Sequence, residues 1–317
     1  MGSTFSSDTT GQRDLKVFDA AARSGGKSLK YWIETGPKLQ CDIVDVLLRF
    51  RKHRIALVSD ITEMYLQVKV RSEDRRYLRF LWCENGKIVT YEMQRIMFGL
   101  NVAPFLAQLV VQEGSKKLTD KYPRAVETVT SSTYMDDSLD SVQTDEMAIE
   151  LKDQLEIVWK SVGMTTGKWL TNSLEVLKKI PEKQRSERLD LEDKEKISVK
   201  TLGIYWNSTD DQFAFTSKVD EEARITRRIF LSIVARVFDP LGLICPFVIR
   251  AKMIVQKMCI ENSDWDEEVS ERVQTIARQW LKECNELNNL RIERCLLKGG
   301  EENCCELHFF SDASEKA

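Results

Sequence analysis

Tyr134-Met135-Asp136-Asp137 constrains this chain more than any other stretch. Two adjacent carboxylates repel each other unless a cation sits between them. Around them, in residues 128–142, lie Thr128, Val129, Thr130, Thr133 and Tyr134, then Leu139 and Val142, most of them β-formers. Aspartate tolerates turn conformations, so the pair is expected at the tip of a β-hairpin. Such a tip is either an acidic turn in water or a site for a divalent cation of the kind used in phosphoryl transfer. A third carboxylate favours the cation. Arg54-Ile55-Ala56-Leu57-Val58-Ser59-Asp60 reads as a short apolar strand ending in an acid. Two metal ions in an in-line displacement need oxygen ligands from more than one segment. Asp60 supplies that second segment if its strand lies beside the hairpin.

The rest of the sequence sets bounds on this reading. A chain of 317 residues with 42% hydrophobic side chains can bury a sizeable core in one large fold or two domains. The net charge of -3 conceals an asymmetry. Residues 1–128 carry 21 basic and 15 acidic side chains, a net of +6, and the remainder carries -9. The basic clusters Arg49-Phe50-Arg51-Lys52-His53-Arg54 and residues 71–79 suit either phosphate contacts or a solvated face. Eight scattered cysteines form no disulfide framework, and no signal peptide or membrane-length apolar run is visible. That pattern fits an intracellular protein of the cytoplasm or nucleus. Cys304-Cys305 with His308 lacks a second ligand pair and does not read as a zinc site.

Local signals give the element order. Residues 43–50 have helical spacing. Residues 77–82 and 87–91 read as strands joined around Asn85-Gly86, a strong hairpin signal. Residues 103–118 are expected to be helical, with Pro104 in the first turn. Thr144 is placed to cap a helix that Gly163 ends. Residues 181–196 are charge-dense and read as a loop or frayed helix. Residues 202–206 and 212–215 read as strands around Asp210-Asp211. Then the pattern turns helical, over 224–237, 247–260 and 266–287, before a last strand at 306–310.

An ordered series of motifs runs through these elements. Phe18-Asp19-Ala20, Gly36-Pro37-Lys38-Leu39 and Leu47-Leu48-Arg49-Phe50-Arg51 precede the Asp60 strand. Residues 60–67 follow, then Met97-Phe98-Gly99-Leu100-Asn101-Val102-Ala103-Pro104, then Tyr134 to Asp137. Lys168-Trp169, Leu202-Gly203-Ile204-Tyr205-Trp206 and Phe238-Asp239-Pro240-Leu241-Gly242-Leu243 complete it. The series resembles the reverse transcriptase of BEL/Pao-type LTR retrotransposons over nearly the whole chain.

The resemblance implies an α+β fold: a right-hand polymerase palm with an antiparallel sheet and helices, partial fingers and a helical thumb. It divides the chain into a disordered tail at 1–13, partial fingers and palm at 14–215, a thumb-like segment at 216–290, and a connection with the start of a truncated ribonuclease H-like domain at 291–317, where Asp312 resembles a first nuclease carboxylate. It implies RNA-directed DNA polymerase activity by two-metal nucleotidyl transfer. The partners implied are an RNA or DNA template with primer and deoxynucleoside triphosphates, with Mg2+ or Mn2+ as cofactor. Asp60, Asp136 and Asp137 become catalytic metal ligands. Tyr65 takes the position of a steric gate against the ribose 2′-hydroxyl. Phe98, Gly99 and Lys168 face the nucleotide. One departure concerns triphosphate: the family carries an arginine where Leu15 stands, with Lys16 next door. This departure and the short fingers predict a chain that binds primer–template but, with weakened nucleotide binding, extends it poorly or not at all. The alternative reading is an inactive element-derived chain that only binds nucleic acid.

Overall fold

The computed structural model describes residues 18–186, 198–261, 264–297, 306 and 308–311. The expected tail, Lys16, Asp312 and the Cys304-Cys305 pair lie outside the described residues. So does most of the charge-dense stretch, of which residues 182–184 form one tight helical turn.

In chain order the helices are α1 (Leu29–Trp32), α2 (Ile43–Lys52), α3 (Met64–Gln67), α4 (Ala103–Ser115), α5 (Pro123–Ser131), α6 (Asp145–Ser161), α7 (Leu174–Lys179), α8 (Arg227–Arg236), α9 (Cys245–Ile260) and α10 (Glu271–Glu286). The strands are β1 (Ile55–Ile61), β2 (Arg79–Glu84), β3 (Lys87–Glu92), β4 (Thr133–Tyr134), β5 (Asp137–Val142), β6 (Thr166–Thr171), β7 (Ser198–Thr201), β8 (Ile204–Asn207), β9 (Gln212–Ala214) and β10 (Arg291–Glu293). Caps fix several helix starts. Asp42, Thr144, Thr226 and Ser270 each accept a backbone N–H two or three residues ahead, which satisfies a donor the helix leaves open.

Among the described residues the strands form three antiparallel sheets. The first runs in the order β4-β5-β1-β6, the second β10-β9-β8-β7, and β2 pairs with β3 as a separate hairpin. Asn85 and Gly86 turn that hairpin with φ of 50° and 75°, as the Asn-Gly step predicts. β1 is central and apolar on both faces. Ile55, Leu57 and Ile61 join a core with α4, α5 and α6. Ala56 and Val58 point the other way, to Val46, Leu47 and Phe50 of α2 and to Trp206 and Phe213 of the second sheet. This period-2 division is why a continuous apolar run makes a strand here.

α8, α9 and α10 have a core of their own around Trp280, which is fully buried. Its ring stacks on Phe247 at 4.8 Å and meets Phe230 edge-on at 5.6 Å, and its Nε1 donates to the Phe247 carbonyl. The chain leaves for this helical lobe through β9 and returns through β10, and the two strands pair side by side.

Two expectations need correction. The β-formers Thr128, Val129 and Thr130 lie in α5, not in a hairpin arm. Pro123 opens that helix in its first turn, and Ala125, Val126 and Val129 fall on one buried face. Burial of that face outweighs a propensity difference of about a few tenths of a kcal/mol per residue. At the other end, the described residues 306 and 308–310 are not in a strand.

Candidate active site

The hairpin that carries the acids is short. Thr133 pairs with Ser138 and Tyr134 with Asp137, so the two turn residues are Met135 and Asp136, and Asp137 opens β5. The expected tip is thus shifted back by one residue. Met135 takes φ 58°, uncommon for a side chain of its size. The turn is held from outside. The Gln108 amide, 3% exposed, donates to the Met135 carbonyl at 3.4 Å. Gln40 and the Tyr65 hydroxyl both approach the Met135 sulfur, at 3.5 and 3.9 Å.

β5 then lies antiparallel beside β1, with Asp60 directly opposite Asp137. Ile61 N–H donates to the Asp136 carbonyl at 2.7 Å, which continues the ladder to the turn. The strand from the first segment therefore does lie beside the hairpin, and three carboxylates share one sheet end. The register of β1 with β6 shifts between Val58 and Asp60, bringing Gly167 opposite Asp60. Lys168, at φ 50°, then reaches Asp60 with its Nζ at 3.2 Å, its side chain still 71% exposed.

The charges respond to this crowding. Burial, followed by the charges of Asp136 and Asp60, pushes Asp137 up to about 6, with Lys168 opposing. Asp136 is also raised, first by burial and then by Asp60. Tyr65 is raised by burial and by Asp136. A cluster that holds protons against its ordinary tendency is short of positive charge. Hard oxygen donors of this kind fit a divalent cation. Among the described residues no three His, Cys, Asp or Glu side chains converge closely enough to enclose an ion by themselves. Magnesium needs fewer, because one or two carboxylates with water and substrate phosphate complete its shell.

The aromatic pair also comes together. The Tyr65 and Phe98 rings meet edge-on at 5.3 Å, and the Tyr65 hydroxyl touches the Met135 side chain beside the acids. Gly99 lies close against the backbone of Phe18. At φ 92° a Cβ there would lie 2.5 Å from the Phe18 carbonyl oxygen, so the close approach that requires glycine is to this chain's own backbone. In the first basic cluster, Arg49 donates to the Ser131 carbonyl and Arg51 to the carbonyls of Glu293 and Arg294. These two arginines brace the fold. Gln108 and Gln40 were not singled out from sequence, since contacts 27 and 95 residues apart leave no local signal.

A family model for "Reverse transcriptase (RNA-dependent DNA polymerase)" matches residues 20–168, and one for "Pao retrotransposon-like RNaseH-like domain" matches residues 226–317. The chain belongs to the Pao/BEL-type retrotransposon reverse transcriptases. The first match spans the three carboxylates through Lys168, and the second begins at the cap of α8. A comparison with curated proteins gives no match. Among solved structures, the foamy viral protease-reverse transcriptase dRH in complex with ds DNA superposes with a TM-score of 0.57 at 13% identity. The alignment covers 90% of this chain and 44% of that one, so this chain spans less than half the length of that neighbour. The foamy viral protease-reverse transcriptase in complex with RNA/DNA hybrid aligns over 80% of this chain and 30% of its own, at 13% identity and a TM-score of 0.47. The first likeness shows the fold of the Pao/BEL chain: a polymerase palm of antiparallel sheet and helices, with the helical lobe beyond it. No helix among the described residues is long and apolar enough to cross a membrane.

Proposed function

We propose that this chain adds deoxynucleotides to a primer on an RNA or DNA template, with Asp60, Asp136 and Asp137 holding Mg2+, or Mn2+ in its place. The observation that carries the reading is the register: Asp60 opposite Asp137 on neighbouring strands, with Asp136 in the turn and the acids of Asp136 and Asp137 both raised by burial and by their neighbouring carboxylates. Bound there, divalent cations would lower the pKa of the primer 3′-hydroxyl and neutralise the triphosphate. Asp60 and Asp136 come from different segments and supply the carboxylates on either side. Tyr65, backed by Phe98, presents its ring beside Met135, where a ribose 2′-hydroxyl would collide with it. Lys168 is tied to Asp60 by one exposed contact and can turn to a phosphate oxygen as a point charge. Residues 14–215 serve as partial fingers and palm, 216–290 as thumb, and 291–317 as connection and the start of a ribonuclease H-like domain. Lys16 is assigned to the triphosphate by resemblance alone.

The competing reading is a nucleic-acid binder that does not polymerise. A dead-end complex separates the two. The chain is mixed with Mg2+ and a primer–template whose primer ends in a dideoxynucleotide, then challenged with heparin. The triphosphate complementary to the next template base is expected to protect the complex, and the other three are not. Protection by none, or equally by all four, overturns templated synthesis and favours the binder.

A further inference from the structure

Arg294 lies just past β10, far from the carboxylates in sequence, and is fully buried. A guanidinium is kept out of water at great cost unless its donors are paired. All five of its N–H donors are used. Nε and Nη2 fork onto the Asp211 carboxylate at 2.5 and 2.8 Å. Nη1 donates to the Phe50 and His53 carbonyls, and Nη2 also donates to that of Arg54. The plane lies 5.2 Å from the centre of the Phe50 ring. Asp211 is fixed in turn: it takes φ 54° and accepts from Trp206 Nε1 at 3.1 Å, and its carbonyl accepts from the Arg294 N–H.

These partners belong to three separate parts of the fold. Phe50, His53 and Arg54 close α2 and lead into β1, the strand that carries Asp60. Asp211 turns β8 into β9, where the chain leaves for the helical lobe. Arg294 follows β10, where it comes back. Leu296 and Leu297 continue the clamp by donating to the Arg51 and Lys52 carbonyls. Above this base the segment leaving β9 is bonded to the lobe on the α10 side, through Ser217 to Asn288 and Val219 to Asn285, and is open on the α8 side. A cavity of about 830 Å³, lined by Ala214, Phe215, Ser217, Arg228, Ser232 and Val237 among others, separates the stalk from α8. The α8–α9 connection also meets the second sheet, with Phe238 against Gly203 and Leu241 and Leu243 on the core of Trp206 and Phe213, so the seating of the two-strand stalk is one of two contacts that orient the lobe.

We propose that Arg294 is a positioning residue that pins the stalk of the helical lobe to the start of β1, and so sets where the lobe meets a duplex lying over Asp60, Asp136 and Asp137. The duplex part rests on the templated-synthesis reading, and the pin does not. The test uses Arg294→Lys in the full chain. Lysine keeps the charge but has three donors and no planar fork, so it cannot span a carboxylate and three carbonyls. Hydrogen exchange is expected to quicken in β9, β10 and residues 294–297 while α9 and α10 stay as protected as before. Primer–template affinity, read by fluorescence anisotropy, is expected to fall about tenfold. A residue that only stabilised the fold would lower protection throughout, and that result overturns the proposal, as does unchanged exchange with affinity within about twofold. Asp211→Asn, which keeps the three carbonyl contacts, should show the same pattern with a smaller loss. Failure of both variants to fold would also overturn the proposal, because the pair would then be a requirement of the whole fold. If the unaltered chain binds no duplex, the synthesis reading fails, and the exchange pattern decides the pin by itself.

Discussion

Asp137 offers the sharpest quantitative test of the charge argument. Its acid is pushed from an ordinary 3.8 to about 6 by burial and by Asp136 and Asp60. The folded state therefore holds the proton more tightly than the unfolded state does. Between pH 4 and pH 6 the folded chain binds more protons, so stability falls as pH rises through that window, and the penalty is complete above about pH 6. A rise from 3.8 to about 6 corresponds to about 3 kcal/mol as an upper bound, and screening at a partly open site reduces it to about 1–2 kcal/mol. Asp137→Asn removes the charge and keeps the shape. The difference in unfolding free energy between mutant and unaltered chain, from urea titrations in EDTA, cancels every group that titrates independently of this cluster. It should be near zero at pH 4 and reach about 1–2 kcal/mol in favour of the asparagine by pH 7. Adding millimolar Mg2+ should shrink or reverse it, because the ion stabilises only the chain that binds it. A difference that stays flat across pH, or that favours aspartate in EDTA, refutes the claim that these carboxylates lack a counter-charge.

Three further outcomes follow from particular contacts. Tyr65→Ala should admit ribonucleotides in single-nucleotide incorporation, because the ring next to Phe98 would no longer block a 2′-hydroxyl; unchanged sugar discrimination would return Tyr65 to a packing role. Gly99→Ala should cost about 2–3 kcal/mol in chemical denaturation, since its Cβ would stand 2.5 Å from the Phe18 carbonyl oxygen at φ 92°, and a loss under about 0.5 kcal/mol would show that the segment yields. Trp280→Ala should cost about 3–5 kcal/mol, read as lost protection in α8, α9 and α10 with β1 and β5 retained; equal loss in the sheet would mean that the lobe has no separate core.

Much of the site was legible because its signals are local. β1 announces itself by apolar residues on both faces and carries Asp60 one residue before its end. The Asn85-Gly86 turn and the Thr144 cap specify their elements within a few residues. Family order then placed Tyr65 and Phe98, and the structure brings them together. Two kinds of feature were hidden. Thr128 to Thr130 carry β propensity, yet they lie in a helix, because the burial of Ala125, Val126 and Val129 is a tertiary matter that a short window does not see. Gln108 and Arg294 act across 27 and 83 residues, on a turn carbonyl and on a turn carboxylate. Nothing near either residue marks it, since sheet order and strand seating become visible only when distant segments meet. The hairpin was legible as a hairpin but not to the residue, and the one-residue shift decides that Asp136 turns while Asp137 faces Asp60.

The central claim is that nucleotides are joined at the end of β1 and β5. Single-nucleotide addition to a labelled primer on a homopolymer template tests it most directly, at high nucleotide concentration with and without Mg2+. The account predicts addition of the complementary deoxynucleotide only, dependent on the cation and lost in Asp136→Asn even though that variant folds as well as the unaltered chain. Addition that survives Asp136→Asn, or no addition from a chain shown to be folded and bound to the duplex, contradicts it.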